Sequence, residues 1–160
     1  MIRSKTCCFT GHRSIPTHQR PQIVKELRKQ ITRLIEEGVI YYGAGGALGF
    51  DTLAALTVLE LREKHPQIKL ILVLPCPEQS HRWQREDIEI YESIKRQSDK
   101  IVYTAAHYTP DCMHRRNRHL VDNSGVCVCY QTKPSGGTAY TVSYARQQGI
   151  RVINLAEGSQ

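Results

Sequence analysis

The sequence predicts an α/β fold, a Rossmann-like three-layer sandwich in which a mostly parallel sheet is flanked by helices, built as one domain over residues 1–160. Three observations predict it. Short β-rich apolar runs alternate with longer stretches of helical periodicity, and two glycine-rich turns each lead from a strand into a helix. A length of 160 residues, 40% of them hydrophobic, closes one core and excludes both a disordered tail and a multidomain enzyme.

The elements follow in chain order. A first strand is expected over 6–9, and Ile23, Leu27, Ile31, Leu34 and Ile35 then recur at helical spacing. A second strand over 39–42 leads into a segment, 53–61, that is apolar nearly all round and so predicts the most buried helix. After a third strand over 69–74, Trp83, Asp87, Ile88, Tyr91 and Ile94 fall at helical spacing, with the apolar members on one face. Strands over 101–104, 126–130 and 151–154 complete six, with about five helices and no linker, repeat or low-complexity stretch.

The 22 Lys and Arg against 15 Asp and Glu give a net charge of +7, which suits phosphate-bearing partners without naming one. No apolar run approaches the roughly 20 residues of a membrane span, and the first residues lack a secretory signal, so a cytoplasmic location and no membrane partner are expected. Cys7, Cys8, Cys76, Cys112, Cys127 and Cys129 lack zinc-ligand spacing and are read as buried, reduced small hydrophobes. No metal and no resident cofactor are expected.

The unusual residues fall after the strands, where an open parallel sheet binds its ligands. Thr10, Gly11, His12 and Arg13 follow the first; Gly43, Gly45, Gly46, Gly49 and Asp51 the second; Lys133, Gly136, Gly137 and Thr138 the fifth. The two glycine-rich turns are read as phosphate or ribose cradles, since glycine lets backbone approach a ligand and a helix amino terminus offers free N–H groups. Neither is GxGxxG nor a P-loop, so nicotinamide chemistry and ATP hydrolysis have no motif here. Asp51 serves either a ligand or its helix terminus. Arg115 and Arg116 point about 100° apart, so one of them faces the rim. Trp83 either stacks on a base or anchors its helix.

Cys8-Phe9-Thr10-Gly11-His12-Arg13, the loop 43–51, Met113-His114-Arg115-Arg116 and Gly136-Gly137-Thr138 occur in this order. Together they resemble the SLOG superfamily, which includes the DNA-processing protein Smf/DprA and the LOG cytokinin-activating enzymes, and in particular its small stand-alone bacterial members. The resemblance implies a Rossmann-like domain holding a nucleotide-derived ligand across the sheet edge, often as a homodimer. LOG enzymes cleave nucleoside monophosphates with an arginine and a glutamate from their Met-His-x-Arg-Lys and Pro-Gly-Gly-x-Gly-Thr-x-x-Glu motifs. Met113, His114 and Arg116 match the first, with Asn117 in place of its lysine; Gly136 and Gly137 match the second, with Ser135 in place of its proline. The glutamate position falls on Thr141 or Ser143, neither a carboxylate.

The leading expectation is therefore a sensor or accessory protein that binds a nucleotide or ribose-phosphate ligand, with Arg13, Arg116 and Lys133 neutralising its charge. One alternative is a hydrolase of an N-glycosidic or phosphate-ester bond, with Asp51, Glu86 or Asp122 as the carboxylate and Arg116 as a further catalytic candidate. Another is a single-stranded DNA-binding protein, favoured by the charge and by Trp83 as a stacking platform.

Overall fold

The computed structural model describes residues 2–157. Six strands form one all-parallel sheet in the order β4-β3-β2-β1-β5-β6. They are β1 (Thr6–Gly11), β2 (Tyr41–Ala44), β3 (Lys69–Leu74), β4 (Lys100–Tyr103), β5 (Val126–Tyr130) and β6 (Arg151–Asn154). The connecting helices are α1 (Arg20–Glu36), α2 (Phe50–Lys64), α3 (Arg85–Gln97), α4 (Cys112–Asp122) and α5 (Gly137–Gln147).

α1 and α3 cover the sheet with the face that periodicity marks. Ile23, Leu27, Ile31, Leu34 and Ile35 of α1 are all buried, and they share one core with Phe50, Ala54 and Val58 of α2 and Tyr91 and Ile94 of α3. Leu120 and Val121 of α4 and Val142 and Ala145 of α5 form the second core on the opposite face. Three helices on one side and two on the other make the three layers. No helix of the described residues is long and apolar enough to cross a membrane.

Several boundaries differ from the sequence expectation: β1 runs on to Gly11, β2 runs on to Ala44 and β4 lies one residue earlier, and two further differences have a visible cause. β2 starts at Tyr41 rather than at residue 39, because the Val39 N–H donates to the Leu34 carbonyl (2.9 Å) and so closes the carboxyl end of α1. α3 starts at Arg85, after Trp83, whose ring packs edge-on against Tyr91 with centroids 5.1 Å apart. All six cysteines are buried and unbridged; burial raises the thiol of Cys7 well above its usual range, and a hydrogen bond with Cys8, then burial, does the same for Cys127. Buried thiols held in that form are poor nucleophiles.

The chain winds outward from β1 through β2 and β3 to β4, then returns to place β5 beside β1. The connections after β1 and β5 therefore leave the sheet in opposite directions and open a crevice between them. This is the position at which parallel α/β sheets bind ligands.

Candidate functional site

A cavity of about 290 Å³ occupies that crevice. The β1 connection contributes Thr10, Gly11, His12 and Arg13, and the β5 connection contributes Lys133, Ser135, Gly136, Gly137 and Thr138. Ala47 enters from the turn after β2 and Asp51 from the start of α2, and Met113, His114, Arg116 and Asn117 come from the first turns of α4.

Three helices thus present their amino termini here, and none has a side-chain cap: the N-cap residues are Gly49 for α2, Asp111 for α4 and Gly136 for α5. Uncapped first-turn N–H groups with the helix dipole behind them favour an anion. Three cationic side chains, from Arg13, Arg116 and Lys133, line the same cavity against one carboxylate, that of Asp51.

Arg116 is 3% exposed. Its Nε donates to Asn117 Oδ1 (2.7 Å), an Nη donates to the Gly45 carbonyl, and the other Nη lies 3.7 Å from Met113 Sδ. All these acceptors are neutral, and no carboxylate among the described residues forms an ion pair with it. Burial pushes its guanidinium below the usual range, with the charge of Asp51 opposing. Burial likewise pushes the Asp51 carboxyl up, against the pull of Arg116 and of the Ala47 N–H that it accepts at 3.3 Å. Asp51 follows the N-cap and ties down the loop before its own helix.

His12 Nε2 accepts the Thr132 N–H (2.9 Å), a role that requires it to be unprotonated. Burial first, and then Lys133, lower its pKa. The neutral ring favours the fold, so this contribution is fully present above about pH 6.5 and is lost as pH falls through the lowered folded value. The urea midpoint of the protein is expected to fall between pH 7.5 and pH 5 more steeply than that of His12→Gln. Parallel curves would mean that the His12–Thr132 bond does not join the two connections in solution.

Several sequence candidates lie elsewhere. Gly43 packs under Leu120, Gly45 under the Arg116 guanidinium, Gly46 against Leu74 and Gly49 against the backbone of His12 and Arg13, so these four glycines make room for protein atoms and do not line the cavity, which the first glycine-rich turn reaches through Ala47. Arg115 is exposed and donates to the Thr104 carbonyl (3.3 Å), because a helix starting at Cys112 turns Arg116 inward and its neighbour outward. Glu86 is exposed on α3, and Asp122 accepts the Tyr144 hydroxyl (2.7 Å) at the far end of α4; neither lines the cavity. The Thr141 hydroxyl donates back to the Gly137 carbonyl (3.0 Å), and Ser143 is exposed on another surface of α5. Met113, His114 and Asn117 were legible only as motif neighbours of Arg116. Among the described residues no three His, Cys, Asp or Glu side chains gather as metal ligands.

The sequence profile of the YspA SLOG family matches residues 7–153. The chain belongs to this family. A UPF0398 protein of Bacillus pumilus is 31% identical over 126 residues, covering 77% of this chain and 68% of that protein. Among solved structures, DNA processing protein A (DprA) of Streptococcus pneumoniae superposes with a TM-score of 0.66 at 15% identity, over 93% of this chain and 49% of DprA. This chain thus spans about half of DprA. The molybdenum cofactor carrier protein of Chlamydomonas reinhardtii superposes with a TM-score of 0.57 at 20% identity, over 93% of this chain and 75% of that one. At these identities the structural likeness shows the shared fold.

Proposed function

We propose that this SLOG-family protein is a sensor or accessory protein that binds the phosphate of a nucleotide or ribose-phosphate ligand in the crevice between β1 and β5. The observation that carries this reading is Arg116, a buried guanidinium with only neutral acceptors, on the wall of a cavity where uncapped helix termini meet. Burying an unpaired charge costs several kcal/mol, and an anion at this place offsets that cost while completing the donors of Arg116. At about 290 Å³ the cavity suits a phosphate and a sugar, at the lower end of ordinary ligand sites. Binding without turnover is the expectation, since the positions where LOG enzymes carry glutamate are Thr141 or Ser143 here.

The test is a thermal-shift and calorimetric panel of inorganic phosphate, ribose 5-phosphate and the four nucleoside monophosphates, followed by product analysis. Ribose 5-phosphate is expected to raise Tm and to remain intact, and Arg13→Ala to weaken it by about 1.5 kcal/mol. No shift with any member of the panel at millimolar concentration would overturn the reading, and cleavage would move it to the hydrolase alternative with Asp51 as the carboxylate. The +7 charge keeps a single-strand reading in play, and a Helicobacter pylori DprA studied for its single-stranded DNA binding mode shares the fold with a TM-score of 0.64 at 16% identity. Affinity that grows with strand length and falls steeply with salt would favour it.

A further inference from the structure

A second cavity, of about 510 Å³, adjoins the first, and Met113 lines both. Its walls are Glu78, Gln79, His81, Arg82, Trp83 and Tyr108, from the connections that follow β3 and β4. Two of these side chains are aromatic. Trp83 is half-buried and packs against Tyr91 with the two ring planes 72° apart, and Tyr108 is 64% exposed.

The exposure of Tyr108 is fixed by the local structure. Glu78 accepts the Tyr108 backbone N–H at Oε2 (2.9 Å) and meets His107 Nδ1 at Oε1 (3.2 Å), which fastens one connection to the other. Gln79 joins this region to the first cavity: its Nε2 donates to the Gly45 carbonyl (3.4 Å), the same oxygen that Arg116 holds, and to the Tyr91 hydroxyl (3.3 Å). Gln79 Oε1 is buried with no hydrogen-bond partner among the described residues, an acceptor that a ligand N–H would satisfy.

We infer that the second cavity is the base subsite of the same ligand, so that the bound molecule is a nucleotide whose phosphate lies by Arg116 and whose base stacks between Trp83 and Tyr108 beyond Met113. This rests on the phosphate reading above and adds the ring. An aromatic platform gives stacking to any planar heterocycle, and Gln79 Oε1 adds an acceptor for an N–H of the base.

Trp83 is the only tryptophan, so its fluorescence reports on this cavity alone. The experiment titrates the full chain with ribose 5-phosphate and with each nucleoside monophosphate, following Trp83 emission and calorimetric affinity together. The expected result is binding of ribose 5-phosphate without quenching, and binding of AMP about tenfold tighter with quenching. Trp83→Phe and Tyr108→Ala, measured by calorimetry, are expected to bring AMP toward the affinity of ribose 5-phosphate and to leave the sugar phosphate unchanged. Tyr108 is exposed, so its variant tests the subsite even if Trp83→Phe loosens α3. Equal affinity for the sugar phosphate and all four nucleotides, with no quenching, would overturn the base subsite and leave the phosphate site standing. Binding of neither would remove both, and quenching by an oligodeoxythymidine but by no mononucleotide would reassign the aromatic cavity to a strand.

Discussion

Arg116→Met is expected to lower the affinity for ribose 5-phosphate by about 1.5–3 kcal/mol, the range for a lost hydrogen bond to a charged group. The methionine keeps most of the buried volume and removes the charge. The same change also leaves Asp51, itself buried, without the guanidinium that opposes the rise of its pKa. The two consequences are separable by pH and by a second substitution. A carboxyl whose folded value lies above its unfolded one favours the fold when protonated, so its contribution is complete below about pH 4 and is lost as pH rises through the folded value. Removing Arg116 raises that folded value further. The stability deficit of Arg116→Met is therefore expected to be largest near neutral pH and to shrink in acid. Adding Asp51→Asn is expected to recover stability at pH 7 without recovering affinity. Urea titrations from pH 4 to 7.5 and calorimetry on both variants make the comparison. If the double variant binds the sugar phosphate as tightly as the unaltered chain, Arg116 is a structural residue and the anion site lies elsewhere.

The mutual influence of Arg116 and Asp51, which lie 65 positions apart in the chain, also marks how far the sequence can be read. Periodicity places α1 and the strands because burial on one face is a local pattern, and Ile23, Leu27, Ile31, Leu34 and Ile35 all obey it. The order of motifs after strands brings Thr10 to Arg13, Asp51, Arg116 and Gly136 to Thr138 toward one crevice, because a parallel sheet has a single carboxyl edge. What a glycine makes room for is not local. Gly43, Gly45, Gly46 and Gly49 look like a ligand cradle in sequence, yet Leu120, Arg116, Leu74 and the Arg13 backbone occupy the space. The choice between Arg115 and Arg116 depends on the helical phase, hence on where α4 begins. The bond from Gln79 to Gly45 spans 34 positions and has no sequence signature at all.

Gly49→Ala is expected to cost more than about 3 kcal/mol of folding stability, because backbone strain and a collision act together there. Gly49 has φ +77° and ψ −121°, a region that L side chains rarely enter. A Cβ would also run into the Arg13 carbonyl oxygen and lie 2.5 Å from that of His12. Neither obstacle is the end of a flexible side chain. His12 O already accepts the Phe50 N–H (3.0 Å), so the start of α2 and the β1 connection are locked together at the point where the methyl must go. Two other glycines separate the causes. Gly136 has φ +102° but nothing within 4 Å of its added Cβ, so Gly136→Ala carries the strain alone, about 1–3 kcal/mol. Gly137 has open space and no left-handed φ, so Gly137→Ala is expected to leave the urea midpoint within about 0.5 kcal/mol of the unaltered chain. That methyl nevertheless sits at the amino terminus of α5 in the lining of the cavity, and it is expected to weaken ribose 5-phosphate. The series therefore runs from loss of fold to loss of ligand across three chemically identical changes. Equal urea midpoints for Gly49→Ala and Gly137→Ala would show that the β1 connection does not pack against α2 as described, and the wall of the crevice proposed to hold phosphate would have to be redrawn.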